Sequence, residues 1–220
     1  MKILVTGSSR GIGKTVAVRY LELGHEVIGL DLNPSSISHE RYTHYICDIK
    51  NADLLPNLSQ INVIFNNAGL QNCSDDIENN LKGTINITEK YIKDNKDLKA
   101  ILFNASASAS TGQEFPLYVA SKSGLVGYMK NVAIRLASQG VLVNSISLGG
   151  VLTESNKPVI EDEKCWSTIM ARTPLKKWMS EDEVADWVIF LTLQNKSMSG
   201  QDILIDNGER DLNPSFVWPK

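Results

Sequence analysis

The segment ILVTGSSRGIG, residues 3–13, decides the fold of this chain. Its apolar start predicts a buried strand, and the amphipathic stretch after Gly13 predicts a helix that Gly24 ends. Gly7 and Gly11 permit a tight turn and a close approach of the backbone between the two elements. A strand, a glycine-rich turn and a helix in this order present unpaired amides and a positive helix dipole to a pyrophosphate.

Short runs rich in Val, Ile and Leu recur along the chain and alternate with helix-like segments. Such runs are typical of parallel strands buried on both faces. The alternation predicts an α/β fold: a single doubly wound Rossmann-type domain over residues 1–220, with helices on both faces of a parallel sheet of about seven strands. A short C-terminal tail is expected at about 209–220. The predicted strands are residues 3–6, 26–30, 43–46, 62–66, 100–104, 141–146 and 203–205.

A capping box, Ser180-x-x-Glu183, predicts the start of a later helix, because each of its two side chains satisfies a free backbone amide. The apolar residues that follow repeat at helical spacing. We interpret this stripe as core packing: Val184, Trp187, Val188 and Leu191.

Composition limits the class of partner. The net charge is -3 with both signs interspersed, which argues against nucleic acid and anionic membranes and favours a small molecule. Apolar runs are too short for a signal peptide or a membrane span. Three widely spaced cysteines without a C-x-x-C pair predict reduced thiols in the cytoplasm, and the three histidines show no metal-binding pattern. We therefore expect no metal.

Tyr118 and Lys122 stand four residues apart at the head of a small-residue segment, so on a helix they share one face. An ammonium about 4 Å from a phenol supplies roughly 4 kcal/mol at an effective dielectric near 20. Each unit of pKa depression needs about 1.36 kcal/mol, so the pKa of the phenol can in principle fall from about 10 to near neutral pH. The pair relays a proton, or it is an ordinary pair on a helix surface.

Asp31 ends the second predicted strand 18 residues after Gly13, near the spacing of a carboxylate that binds the ribose of a dinucleotide. It is alternatively a turn residue ahead of Asn33-Pro34. Arg10, in the glycine-rich turn, instead favours a dinucleotide with a 2′-phosphate on this ribose, because its positive charge attracts the phosphate. Arg10 has the alternative of pairing with Asp31 or with the pyrophosphate.

Further motifs follow in order, and together they resemble the short-chain dehydrogenase/reductase family from residue 6 to about residue 208. The motifs are T-G-x-x-x-G-x-G at 6–13, C-D-I at 47–49, N-N-A-G at 66–69, N-L-K-G at 80–83, Y-x-x-x-K at 118–122, N-S-I-S-L-G-G at 144–150 with Thr153, G-Q at 200–201 and D-N-G at 206–208.

The resemblance implies hydride exchange between a nicotinamide cofactor and a carbonyl or secondary alcohol of a small molecule. Tyr118 would be the acid/base, and Lys122 would lower the tyrosine pKa and hold the nicotinamide ribose. Ser106 would hydrogen-bond the substrate oxygen, and Asn80 would hold a water that connects Lys122 to solvent. The implied chemistry agrees with the Tyr118 and Lys122 pair, because carbonyl reduction needs a general acid near its operating pH.

The same resemblance implies a cofactor site spread over these motifs. We expect NAD(H), because a carboxylate at Asp31 accepts hydrogen bonds from both ribose hydroxyls and repels a 2′-phosphate. NADP(H) stays open because of Arg10. The cofactor-binding residues implied are Gly7, Ser9, Arg10, Gly11, Ile12, Gly13, Asp31, Asp48, Asn67, Ala68, Gly69, Tyr118, Lys122, Gly150, Val151 and Thr153.

The chain departs from the family pattern in four places. Leu148 replaces the usual proline. The stretches 31–48 and 69–80 are shorter than usual, which predicts a more open cleft. The run N-A-S-A-S-A-S at 104–110 leaves the catalytic serine ambiguous: counting back from Tyr118 favours Ser106, an ungapped match puts Ala107 there, and Ser108 is the other alternative.

Two functional hypotheses follow: an NAD(P)(H)-dependent oxidoreductase, or a nucleotide-binding redox sensor or scaffold with little turnover. The ambiguous serine and the short loops support the second, but a binding protein has no need of both Tyr118 and Lys122. Residues 154–177, with Trp166 among them, are expected either to cover the substrate or to pack as a helix. Small residues after Lys122 predict a helix face that meets a partner in a homodimer or homotetramer.

Overall fold

A parallel sheet of seven strands organises the chain, and the computed structural model describes residues 1–212. The strands are β1 Lys2–Thr6, β2 Glu26–Asp31, β3 Tyr42–Ile46, β4 Val63–Asn66, β5 Ala100–Asn104, β6 Leu142–Leu148 and β7 Asp202–Ile205. Their order across the sheet is β3-β2-β1-β4-β5-β6-β7. The predicted Rossmann-type fold is confirmed, with strand ends that differ from the sequence-based ones by one or two residues.

α-Helices lie in four of the six connections between the strands. They are α1 Gly11–Glu22, α2 Thr84–Ile92, α3 Ser108–Thr111, α4 Pro116–Leu136, α5 Lys157–Ile160, α6 Glu163–Arg172 and α7 Glu181–Ile189. A π-helical segment, Ile77–Gly83, leads into α2, and another, Phe190–Gln194, continues α7. The predicted tail at about 209–220 falls mainly on residues 213–220, which lie outside the described residues.

Each face of the sheet carries its own apolar core. Ile3 and Val5 of β1 face a cluster that includes α1 and α7, whereas Leu4 faces a cluster that includes α2 and α4. Successive side chains of a strand point to opposite faces, so an unbroken apolar run serves both cores. The strand order reverses at β1, and the crevice beyond β1 and β4 is where such folds bind ligands.

The sequence-based predictions about burial are wrong at both edges of the sheet and in α7. At one edge, β7 is only half-buried along its length. β3 is an edge strand rather than a buried one, and Ile46 is 64% exposed, because residues 32–41 form no helix that would cover it. Trp187 is 42% exposed and packs edge-to-face on Phe190, while its stripe partners Val184 and Val188 are fully buried. The capping box is confirmed: Ser180 and Glu183 each accept a hydrogen bond from the other's backbone amide.

The exposed edge strand is tied to the glycine-rich turn by one side chain. The hydroxyl of Tyr42 donates to Ser8 Oγ at 3.1 Å and lies 3.0 Å from Nδ1 of His44. Gly29 of β2 makes this possible, since a Cβ there would come within 2.1 Å of the tyrosine hydroxyl. The opposite ring nitrogen of His44 lies 2.9 Å from the carbonyl oxygen of Asn33, in the loop after β2.

Candidate active site

The glycine-rich turn leaves no room for side chains at its two ends. A Cβ at Gly13 would lie 2.0 Å from the carbonyl oxygen of Gly7, and one at Gly7 would lie 2.9 Å from the Cα of Ala68. Gly7 and Gly11 have positive φ angles of 69° and 57°, which L side chains rarely adopt. Ser9, Arg10 and Gly11 lead directly into α1. These features fit a pyrophosphate over the start of this helix.

A hydrogen-bond network fixes the turn against the end of β4. Thr6 Oγ1 accepts from the backbone amides of Asn67 and Ala68 at 2.9 and 3.0 Å. The side-chain amide of Asn67 donates to the carbonyl oxygens of Thr6 and Gly7, and its oxygen accepts from Asn104 at 2.9 Å. Hydrogen bonds thus hold the predicted cofactor residues Asn67, Ala68 and Gly7 together as one rigid group.

Asp31 lies at the end of β2, beside the glycine-rich turn. Its carboxylate accepts from the Ser9 backbone amide at 3.0 Å and from the Asn33 backbone amide at 2.9 Å. Asp31 therefore shapes the turn at Asn33, as one of the two interpretations expects, and lies beside the glycine-rich turn; that it binds the ribose stays a prediction. Arg10 forms no ion pair with Asp31 among the described residues. Its charge instead helps Lys157 lower the pKa of Glu154, across the cleft.

Asp48 follows β3, and its carboxylate accepts from the backbone amide of Lys50 at 2.9 Å. Lys50 also pairs with Asp75 at 2.6 Å. Asp48 therefore lies at the same edge of the sheet as Asp31, and its carboxylate is already hydrogen-bonded to the backbone amide of Lys50.

Tyr118 and Lys122 lie in the first turns of α4 on one face, as their spacing predicts. Lys122 is 5% exposed, its Nζ lies 5.6 Å from the centroid of the Tyr118 ring, and it donates to the carbonyl oxygen of Asn104 at 2.7 Å. Gly69 adjoins the pair, since a Cβ there would lie 3.5 Å from Nζ. The helix brings both residues to the crevice at the carboxyl ends of β4 and β5.

The pKa of Tyr118 does not follow the expectation. Burial raises it to about 12, the Ser106 hydroxyl acts to lower it, and the carboxylates of Glu114 and Asp76 raise it further. Burial lowers the pKa of Lys122 to about 8, with Asp76 and Glu114 acting in the opposite direction. The predicted lowering of the phenol pKa by Lys122 is wrong for this arrangement, because desolvation of the phenol dominates.

Two buried serines follow β5. Ser106 influences the Tyr118 phenol and accepts hydrogen bonds from the backbone amide and the hydroxyl of Ser108, at 3.2 and 2.9 Å. Ala107 has no polar side chain to offer at this position. The geometry favours Ser106 as the serine that faces the tyrosine, with Ser108 behind it.

Asn80 lies in the π-helical segment, a distortion that is frequent at functional sites. Its side chain donates to the carbonyl oxygen of Leu70 at 2.9 Å and to Ser121 Oγ at 3.1 Å, and it accepts from the Leu70 amide at 2.7 Å. The side chain thus braces the loop after Gly69 against α4.

The segment after β6 forms the other wall of the cleft. Gly150 lies against the indole of Trp178, which a Cβ would meet at 2.0 Å, and Val151 forms a bridge with Met179. Thr153 precedes a short helical turn, Glu154–Asn156. Beyond it, α6 has no buried residue, although its Trp166 packs edge-to-face on Trp178 at 5.2 Å.

Asp76 is a site residue that the sequence analysis did not identify. It is fully buried, and its charge raises the pKa of both Tyr118 and Lys122. A sequence signal was present, since Asp76 stands four residues before Asn80 and shares its helical face.

Within residues 1–212, no group of three or more His, Cys, Asp or Glu side chains is placed to hold a metal ion. The three cysteines are unpaired thiols. Over the same range, none of the helices is long and apolar enough to cross a membrane.

Known proteins resemble this chain in sequence and in fold. A family model described as Enoyl-(Acyl carrier protein) reductase matches residues 7–209. The 3-oxoacyl-(acyl-carrier-protein) reductase FabG of Buchnera aphidicola subsp. Acyrthosiphon pisum (strain APS) is 29% identical over 237 residues, which cover 93% of this chain and 95% of that protein.

Solved structures share the fold. A 4-hydroxyisoleucine dehydrogenase complexed with NADH aligns with a TM-score of 0.88 at 23% identity, over 96% of this chain and 99% of that one. An Agrobacterium tumefaciens chain with bound NADP aligns with a TM-score of 0.84 at 22% identity, over 94% and 95%. One of these two proteins is described with bound NADH and the other with bound NADP.

Proposed function

We propose, from the premise that this chain belongs to the short-chain dehydrogenase/reductase family, that Tyr118 exchanges the proton in its reaction. As a member, the chain is an NAD(P)(H)-dependent oxidoreductase that acts on the carbonyl or alcohol group of a small molecule. The observation that carries the residue assignment is the shared face of Tyr118, which is half-buried, and Lys122, which is buried, at the crevice beside Gly69.

The remaining roles follow from contacts. The nicotinamide, when bound, supplies or accepts the hydride. Ser106 hydrogen-bonds the substrate oxygen that Tyr118 protonates or deprotonates, because it is the hydroxyl that already interacts with the phenol. Lys122 holds the ribose with the ammonium protons that Asn104 leaves free. Asn80 fixes the loop beside Lys122, and from the family resemblance it would hold a water that connects Lys122 to solvent.

Replacement of Tyr118 by Phe tests the assignment. The ring packing is kept and the only hydroxyl of that side chain is lost, so kcat should fall by about 10²- to 10⁴-fold while the NADH dissociation constant stays unchanged. Ser106→Ala should cost less, and Ser108→Ala less again. A larger loss for Ser108→Ala would move the serine role to Ser108. Full activity of Tyr118→Phe would contradict the mechanism and reopen the sensor or scaffold hypothesis.

The cofactor is expected to be NAD(H) in preference to NADP(H). The Asp31 carboxylate stands where two ribose hydroxyls would bind and is held by Ser9 and Asn33, so a 2′-phosphate would meet its charge. Arg10 does not neutralise it, because the two form no ion pair within residues 1–212. Dissociation constants of NADH and NADPH for the parent and Asp31→Ser decide the matter, and tighter binding of NADPH by the parent would contradict this preference.

The substrate class is the next question for experiment. Nicotinamide absorbance with a panel of 3-oxoacyl thioesters, hydroxy amino acids and sugar acids would identify it, these being the classes named for similar proteins. The cleft-lining residues Gln71 and Glu114, hydrogen-bonded at 2.8 Å, give the site a polar rim that favours a polar substrate over a purely apolar one.

We further propose that residues 1–220 form one domain that works in the cytoplasm as a homodimer or homotetramer. Three unpaired thiols suit a reducing compartment. On α4, Ile134 is 77% exposed, and at Gly127 a Cβ would meet nothing within 4 Å, so this part of the helix is open to a partner. Light scattering at micromolar concentration is expected to show an oligomer that Ile134→Lys weakens, and a monomeric parent would overturn the proposal.

A further inference from the structure

Asp76 carries a buried carboxylate with an unused oxygen. The residue has no exposed surface, and it lies directly before the π-helical segment. Its Oδ2 accepts from the backbone amide of Cys73 at 3.3 Å, a long bond, whereas its Oδ1 has no hydrogen-bond partner within residues 1–212. Burying a carboxylate without partners is costly, so a group of opposite charge nearby is expected.

Asp76 forms no ion pair within residues 1–212, and the cation on which its charge acts, at longer range, is the ammonium of Lys122. Nζ makes one described hydrogen bond, to the carbonyl oxygen of Asn104, which leaves two of its three protons without an acceptor among residues 1–212. Asp76 and Lys122 are linked through a short series of neighbouring residues. Asn80, one helical turn after Asp76, donates to Ser121 next to Lys122, and Asn80 Oδ1 and Lys122 Nζ flank the same Gly69.

The charged and titratable groups that face Lys122 come from three elements. They are Tyr118 on its own helix, Glu114 in the loop before that helix, and Asp76 from the segment packed against it. Burial pulls the pKa of Lys122 down to about 8, and Asp76 is the largest charge acting in the opposite direction, ahead of Glu114. Glu114 is exposed and bonded to Gln71, so it is the more screened of the two carboxylates.

We propose that Asp76 is a positioning residue that acts through Lys122: its carboxylate keeps the lysine protonated inside the buried site, and so sets the upper pH limit of turnover. The inference rests on the proposed role of Tyr118 and Lys122. It assigns a function to a residue that would otherwise only destabilise the fold.

The test is Asp76→Asn, with Asp75→Asn as the matched control. Asp75 is the neighbouring aspartate, but it is exposed at the surface and bound to Lys50. Removal of the Asp76 charge should move the alkaline limb of the kcat/KM profile down by about one pH unit, whereas Asp75→Asn should leave it in place. Asp76→Ser, which keeps an acceptor for the Cys73 amide, should shift the limb in the same direction if charge rather than turn geometry is responsible.

A second readout does not need turnover. The rate of Lys122 acetylation by acetic anhydride across pH, followed by mass spectrometry, reports the protonation of this lysine, and its midpoint should fall by the same amount in Asp76→Asn. An unmoved midpoint in an active, folded Asp76→Asn would overturn the inference alone. A shifted midpoint in a protein whose parent turns over no substrate would support the electrostatic role and count against the proposed function.

Discussion

The two walls of the cleft are built in different ways. On the side proposed to bind the cofactor, Gly7 and Gly13 have no side chain, so the backbone of neighbouring residues occupies the volume that a Cβ would need. Hydrogen bonds of Thr6 and Asn67 fix this close contact. On the substrate side, α6 has no buried residue and is anchored through the contact of Trp166 with Trp178. The first wall is therefore rigid before any ligand binds, and the second can be reshaped without disturbing the sheet.

The largest expected effect comes from filling the rigid wall. Gly13→Ala places a methyl group 2.0 Å from the Gly7 carbonyl oxygen, so backbone must move, and we expect a loss of about 3 kcal/mol in unfolding free energy and at least tenfold weaker NADH binding. Calorimetry and fluorescence titration measure both. Gly11→Ala is the control for the unfolding free energy alone, because a Cβ there meets its nearest neighbour, Glu181, at 3.8 Å and costs only the strain of a positive φ, about 1 kcal/mol. Equal losses for the two variants would argue against close packing as the cause.

A smaller and different effect is expected on the open wall. Trp166→Ala removes a half-buried indole, so kcat/KM for the identified substrate should fall about tenfold while NADH affinity and melting temperature change little. Trp187→Ala, on the surface of α7, is the control that should leave kcat/KM unchanged. If Trp166→Ala weakens NADH binding as much as it weakens substrate turnover, the two walls are not independent.

The smallest effect is expected from a substitution at Ser180, where the segment after β6 meets the start of α7. Ser180 caps α7 next to Met179, which bridges Val151, so Ser180→Ala is expected to lower the unfolding free energy by about 1 kcal/mol without changing either affinity. Denaturant titration measures the change. Ser138→Ala, at an exposed serine without a side-chain hydrogen bond within residues 1–212, should be silent, and a silent Ser180→Ala would show that the cap is dispensable.

The rigid wall is also the part that sequence predicts well. Seven strands, the turn after β1 and the capping box at Ser180 all follow from local patterns, because glycine conformations, strand runs and helix caps depend on a few neighbouring residues. Whether a side chain is buried depends less on its neighbours in the sequence. β3 has the strand pattern but no helix to cover it, and Trp187 has the stripe position but points to the surface. Such outcomes depend on what packs against an element, which its own residues do not record.

The electrostatics of the site were the hardest part to predict. Spacing placed Lys122 beside Tyr118, yet the desolvation that raises the pKa of the phenol to about 12 depends on burial by several elements. The two aspartates 75 and 76 look alike in sequence, and only the fold makes one of them a half-exposed partner of Lys50 and the other a buried residue whose charge acts on Tyr118 and Lys122.

The close approach of Tyr42 to Gly29 has an evolutionary consequence. The tyrosine hydroxyl and Ser8 Oγ occupy the volume that any side chain at position 29 would need, 2.1 and 2.3 Å from a Cβ there, so position 29 can change only together with these neighbours. A larger residue at 29 requires a smaller one at 42, and the bond to Ser8 is then lost. The outermost strand, although open to solvent, is therefore constrained in its sequence by the glycine-rich turn, and a designer who trims this edge would disturb the turn that we propose binds the cofactor.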